Sequence, residues 1–480
     1  MRRTVFPWLL ISFSLLFVAS CAKEVVEEEY EPTESHESYR DALERLDLVD
    51  TELGEAWITG TGEAMDNPTA VEPPISETIY FDPREPSAAG YRFPVSRGRR
   101  VEIDINAEHD RYFADVFRVS EDGDDEPVHV ASRPAEGSEI AFEARRNAYY
   151  LLRLQPELLR GGRFELEITN QAPLAFPVEG TSPDNIGSYF GSGRDGGSRL
   201  HHGVDIFAPR GTPVLAASES TVVRAGRRDR GGKIVVLRDE ERGINLYYAH
   251  LDEHRVTRGE EVVAGDVVGT VGNTGNARTT PPHLHIGIYQ GGWRNPVDPW
   301  AYFVDPGVSG PPEIRRADLA GSWGRVEDEL RAEAAIPEVP GSKVTHENRN
   351  PFLRGAGDTF VGAEAEPSTE WPEVPSPSSE LLAPGTPVRV TGASGDLVRV
   401  RTPGGATVFV DPETIGMEGE LETETVSQTH VLRDPRTGDA FGELPAGESV
   451  KIIGEAGNRR MVVLSSGRAA VLDPDIEPSG

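Results

Sequence analysis

The chain has 480 residues, too many for one hydrophobic core and enough for about three or four domains. Acids outnumber bases 80 to 48, a formal net charge of -32. Phosphate binding needs a basic face, so nucleic acid is excluded as a partner class. In chain order, Arg2 and Arg3 form a positive start and Val5 to Val18 an apolar run too short to span a bilayer. Cys21 is the only cysteine, so the chain has no internal disulfide. Residues 22–35 (AKEVVEEEYEPTES) read as an acidic tether, and Tyr39, Leu43, Leu46 and Leu53 then recur at the spacing of a short amphipathic helix.

The segment Val18-Ala19-Ser20-Cys21 resembles the lipobox of bacterial lipoproteins. That resemblance implies a signal peptide over 1–20, lipidation at Cys21 and membrane attachment through that lipid. The chain would be exported, and Ala22 after the cysteine resembles an outer-membrane address facing the periplasm in a Gram-negative cell.

From residue 78 to 170 the pattern becomes short alternating runs: VEIDI, EIAFE and RFELEI, bounded by Gly, Pro and Asp. Period-two alternation of this kind predicts an antiparallel β-sandwich, a spacer or binding module. Residues 176–304 form the next unit, with TVVRAG, KIVVLRD, NLYYAHL, DVVGTVG and LHIGIY as its strands. Over 305–378, Leu319, Trp323, Val326 and Leu330 give a helical stripe, followed by a linker rich in Pro, Ser and Glu. The last hundred residues repeat: LLAPGTPVRVTGASG (381–395) aligns without a gap on ELPAGESVKIIGEAG (443–457). Two small β-barrels are predicted, over 379–416 and 424–478, and they resemble bacterial SH3-type domains. The whole reads as a mainly β, multidomain chain.

Six of the eleven histidines fall between 201 and 285. His283 and His285 lie two apart in PPHLHIGIY, a strand, so their side chains share one face. His201 and Asp205, in RLHHGVDIFAPRGTPV, add a further imidazole and a carboxylate. Two histidines and one carboxylate with a position left open is the pattern of a catalytic zinc site. His250, in YYAHLD, is a spare imidazole on a neighbouring strand.

Together with GDVVGTVGNTGNARTTPPHLHIGIY and NPVDPW, these segments resemble the lysostaphin/LytM-type zinc endopeptidases, the M23 family, over about residues 176–303. The resemblance implies an antiparallel β-sheet groove, Zn2+ held by His201, Asp205 and His285, and catalytic roles for His250 and His283. It favours His283 as general base and His250 as oxyanion partner, and leaves His202 and His254 without a role. It implies peptidoglycan as the substrate, cut at its peptide cross-links. Two alternatives stand beside it: a catalytically quiet LytM-like scaffold that activates a separate amidase, with a regulatory protein as partner, and a zinc peptidase acting on protein. Retention of all five residues separates the enzyme from the scaffold. One departure is ARTTPP before HLH, where many members have Gly before the Pro.

Overall fold

The computed structural model describes residues 35–120, 125–135, 137–306, 311–327, 330–332, 380–382, 384–401, 407–417, 423–433, 440–456, 459–464 and 469–472. The predicted signal peptide and lipidation site, nearly all of the acidic tether and most of the Pro/Ser/Glu-rich segment lie outside them.

Where one short helix was expected there are two, His36–Arg45 and Glu52–Asp66. Each starts on a hydroxyl cap: Ser35 accepts from Ser38 N and Thr51 from Gly54 N. Leu43 and Trp57 pack on Phe113 of the sandwich, while Leu46 sits beyond the first helix and is exposed. His36 is buried there, its ring stacked on Trp57 at 4.7 Å and its Nε2 2.7 Å from Gln155 Oε1. Burial, helped by the Arg153 guanidinium, lowers its pKa from 6.5 to about 4. A histidine that is neutral when folded but titrates at 6.5 when unfolded stabilises fully above pH 6.5, and that stability is lost as pH falls toward 4. The difference corresponds to about 3 kcal/mol. We expect the protection factors of amides over 36–45, with the intrinsic pH dependence of exchange divided out, to fall between pH 7 and pH 4.5, and to fall less in His36→Gln.

Residues 69–171 form the predicted sandwich. One sheet runs Thr69–Ala70, Ala89–Val95, Ala148–Pro156, Tyr112–Val119, Val128–Ser132; the other contains Ile75–Phe81, Gly162–Gln171, Arg100–Ala107 and Glu139–Glu143. Every pairing is antiparallel except the two-residue one at Thr69–Ala70. Inward residues of both sheets, among them Phe93, Ile103, Leu152 and Phe164, make one core.

The second sheet does not stop at the sandwich. Strand Ile75–Phe81 pairs with Pro387–Ser394, Thr78 opposite Ala393 and Ile79 opposite Gly392. The first C-terminal repeat is therefore joined to the sandwich by backbone hydrogen bonds. Strands Pro387–Ser394, Leu397–Arg401 and Thr407–Val410 recur as Ser449–Ala456, Arg459–Val463 and Ala469–Leu472, each 62 residues later (387 to 449, 397 to 459, 407 to 469). Even the register shift recurs, between Val390 and Gly392 and between Ile452 and Gly454.

The helix expected over 319–330 is not formed. A 3-10 turn at Ala317–Leu319 leads to strands Trp323–Val326 and Leu330–Ala332. Trp323 pairs with Arg389 and Val326 with Ile415, while a side chain at Gly324 would collide with Ile415. Pairing across the first repeat overrides the helical spacing. Leu330 also pairs with Leu382, so residues 333–379 are an insertion between two strands of that repeat, rather than a linker ahead of it.

Between sandwich and repeats, residues 174–304 build a separate core. Its main sheet runs Ile186–Ser188, Val204–Phe207, His283–Gln290, Ile244–Leu251, Gly232–Asp239, Ser220–Arg228, Glu261–Val262, all antiparallel. The five predicted strands all lie in this unit. Arg242 pairs with Glu143 at 2.8 Å and Ala172 N donates to Asp305 Oδ1 at 2.7 Å, tying the unit to the sandwich.

Candidate metal centre and active site

The site is assembled by strand register. Asp205 and Ala249 both stand opposite His285, on the two strands that flank His283–Gln290, and Phe207 stands opposite His283. His201 reaches the same point from the loop just ahead of Val204–Phe207. That loop lies against the backbone of the histidine strand: a Cβ on Gly203 would sit 2.4 Å from Ile286 O, so only glycine fits.

Three donor atoms meet there. His201 Nε2 is 2.9 Å from His285 Nδ1 and 3.1 Å from Asp205 Oδ1, and His285 Nδ1 is 3.0 Å from the same carboxylate oxygen. Among the described residues this trio is the one group of three or more His, Cys, Asp or Glu able to hold a metal ion. Two imidazole nitrogens and one carboxylate oxygen are a donor set that suits zinc, and three protein ligands leave a fourth position free. Burial alone would raise the Asp205 carboxyl, but the His201 and His285 imidazoles beside it hold it far below the usual carboxylate range. Burial lowers His285, favouring the neutral imidazole that a metal ligand must be.

Backbone carbonyls set the tautomers of His250 and His283. A carbonyl can only accept, so a ring nitrogen whose partner is a carbonyl carries the proton. His201 differs: its Nδ1 lies 2.8 Å from Tyr189 O, an acceptor, and 3.0 Å from Arg194 Nη2, a donor, while its Nε2 faces the trio. His283 Nδ1 faces Pro281 O at 2.9 Å, and its Nε2 lies 3.9 Å from Asp205 Oδ1. His250 Nδ1 faces Thr274 O at 2.8 Å. Burial, then the neighbouring His285, lowers His250 to about 4. Its ring is 5.1 Å from that of His283 and 5.9 Å from that of His285. His250 also holds a left-handed backbone, φ 62°, costly for a residue with a Cβ and kept by hydrogen bonds to Gly231 O and from Thr274 N. In this tautomer His250 offers the groove a lone pair and no N–H. An oxyanion role therefore requires it to be protonated first.

All five expected residues thus converge. His202 is exposed on the groove wall, outside the trio. His254 sits half-buried in the short strand Glu253–His254 and does not line the groove. Thr280, from the unusual ARTTPP segment, lines the groove, and its hydroxyl donates to Ala277 O at 2.8 Å. Arg194 was not anticipated: its Nη2 donates to Asp205 Oδ2 at 2.7 Å and to Ser188 Oγ, orienting the carboxylate from behind. No spacing rule marks it, because an arginine in GSGRDGG looks like any polar loop residue. The groove has a volume of about 950 Å³ and is lined wholly by residues between 187 and 293. Among the described residues, nothing from the sandwich or the terminal repeats enters it.

Residues 199–299 match Peptidase family M23. The segment is an M23 peptidase domain. The chain is 35% identical over 147 residues to the DD-carboxypeptidase/endopeptidase Mpg of Neisseria meningitidis serogroup B, covering 31% of each chain. It is 35% identical over 128 residues to the L-Ala–D-Glu endopeptidase of Bacillus subtilis, covering 25% of this chain and 39% of that one. Among solved structures, the catalytic domain of lysostaphin from Staphylococcus simulans is 33% identical, with 25% of this chain and 87% of that chain covered and a TM-score of 0.22. The chain spans about a third of the length of the curated relatives it matches. The family match, residues 199–299, lies on the unit built by residues 174–304 and leaves the sandwich and repeats outside it.

Proposed function

We propose that this chain is a zinc-dependent endopeptidase that hydrolyses peptide cross-links of bacterial peptidoglycan during wall remodelling. The observation that carries the reading is the convergence of His201, Asp205 and His285 with two further imidazoles, His250 and His283, whose Nδ1 protons are committed to carbonyls. A scaffold needs none of this constellation, and all of it is present. Relatives named as a peptidoglycan DD-endopeptidase and an L-Ala–D-Glu endopeptidase support the substrate.

His201 and His285 would hold the zinc through Nε2 and Nδ1, and Asp205 through Oδ1. When bound, zinc supplies a Lewis acid for the scissile carbonyl and lowers the pKa of water toward about 7. His283 accepts the proton of the attacking water at Nε2 and returns it to the leaving amine. His250 accepts the water's second hydrogen bond and so orients it for attack. Lipidation at Cys21 would tether the enzyme to a membrane facing the wall, and the terminal repeats, as SH3-type modules, would add wall contacts.

The test is direct. Purified peptidoglycan is incubated with the full-length, zinc-loaded chain and the products are read by mass spectrometry. Cross-linked fragments should shorten, stop shortening under a chelator and resume with added zinc. Peptidoglycan left intact by fully zinc-loaded protein would overturn the reading.

A further inference from the structure

The groove's charge runs against that of the chain. Acids dominate the molecule, 80 to 48, yet the groove is lined by Arg194, Arg199, Arg228 and Arg230 and by one acid, Asp205. Arg194 is committed to Asp205, and Asp205 to the donor trio. Arg228 and Arg230 are exposed, and no carboxylate among the described residues forms an ion pair with either. Asp229, between them, is also exposed but does not line the groove.

The turn that carries these two arginines is fixed to the catalytic segment. Arg230 O accepts from Asn276 N at 3.0 Å and Gly231 O from His250 N at 2.8 Å. Lys233 N donates to Thr274 Oγ1 at 2.8 Å, and Thr274 O is the partner of His250 Nδ1. Gly232 has φ +65° and no room for a side chain against Thr274, so the contact is close along its length. Arg230 is thus two peptide units along the chain from Gly232, one residue from the carbonyl that holds His250. The neighbouring wall is aromatic: Trp293 is half-exposed, its ring 5.0 Å from Tyr289 and 6.0 Å from Tyr247. The Arg228 charge acts on the Tyr247 hydroxyl, against the upward push of burial, so cation and aromatic wall border the same channel. A cleft lined by one sign of charge and by low-dielectric walls focuses its field on what enters.

We propose that Arg228 and Arg230 are specificity-determining residues that bind free carboxylates of the peptide substrate beside the scissile bond, so that the groove selects acidic stem peptides over uncharged bridges. This rests on the peptidase reading of the same groove. Guanidinium groups bind carboxylates in two-pronged fashion, and a peptide chain without carboxylates gains nothing from them.

The test is made on binding, so that it does not depend on turnover. Calorimetry on the full-length chain, freed of zinc by a chelator, compares synthetic Ala-γ-D-Glu-Lys-D-Ala with the same peptide bearing amides at both carboxyls. Removing zinc also removes any attraction of the metal for carboxylates. The free-carboxylate peptide should bind about tenfold more tightly, a difference of about 1.4 kcal/mol. In Arg228→Gln/Arg230→Gln that preference should vanish, while the amidated peptide binds as before. Equal binding of the two peptides by the wild-type chain, or a preference that survives in the variant, overturns the proposal. Digestion of peptidoglycan by zinc-loaded protein is scored separately: cleavage without a carboxylate preference sinks only this inference, and a preference without cleavage sinks only the peptidase reading.

Discussion

His283→Ala should retain zinc and lose about two to four orders of magnitude in the rate of peptidoglycan cleavage, the range that a positioned general base contributes. The two halves of this expectation come from different contacts. His283 lies outside the donor trio, its Nε2 3.9 Å from Asp205 Oδ1, so its removal leaves the metal ligands in place. Its Nδ1 proton is held by Pro281 O, so the lone pair on Nε2 is the one basic site it presents. His201→Ala should behave differently and lose zinc and activity together. His202→Ala, one residue further along and exposed, should change neither. Zinc stoichiometry by elemental analysis and product release by mass spectrometry read the two effects independently. Loss of zinc from His283→Ala would make that histidine a ligand and overturn the division of roles.

The convergence of these five residues was legible in the sequence because imidazole and carboxylate side chains carry their chemistry openly. His283 and His285 needed only the period of a strand to share a face, and Asp205 lands opposite His285 because both lie in antiparallel strands. What was hidden is what the side chains lean on. The protons of His250 and His283 are fixed by carbonyls of Thr274 and Pro281, and a carbonyl leaves no mark in a sequence. The left-handed backbone of His250 is hidden for the same reason, since it comes from contacts with two other segments.

Fold-level reading failed where local pattern and distant partner disagreed. Glu52–Asp66 was missed because Gly54, Gly60 and Gly62 are poor helix formers. Two of them are there for close approach: a Cβ on Gly54 would meet Leu48 O at 2.0 Å, and one on Gly60 would meet Ser87 Cα at 2.9 Å. Trp323–Val326 failed in the opposite direction. Its apolar residues recur at helical spacing, but the edge it completes is made by residues 387–389 and 415–416, far along the chain. The 62-residue repeat was visible in the text, whereas the insertion at 333–379 disguised the start of its first copy.

The junction of that first copy with the sandwich gives the largest expected stability effect. Arg399, on Leu397–Arg401, is buried against Glu77 of strand Ile75–Phe81, with Nε 2.6 Å from Oε1 and Nη2 2.8 Å from Oε2. The Tyr91 hydroxyl donates to Glu77 Oε2 at 2.7 Å and accepts from Arg399 Nη2 at 2.8 Å. Burial pushes the Glu77 carboxyl up and Arg399 pulls it back. Arg399→Ala leaves a carboxylate at 0% exposure without its counter-ion, which costs about 3 to 5 kcal/mol. Hydrogen exchange in strand Pro387–Ser394, where Thr78 meets Ala393, should accelerate by two orders of magnitude or more at pH 8. The penalty should shrink as pH falls, because the stranded carboxyl can then take up a proton. Glu77→Leu/Arg399→Met removes both charges and should recover most of the protection, since a buried ion pair adds little over apolar groups of similar volume. Peptidoglycan cleavage should be unchanged in the double variant, because the groove draws its walls from residues 187–293 alone. Wild-type exchange in Arg399→Ala would mean that solvent reaches Glu77 and that the continuous sheet is not what holds the repeat to the sandwich.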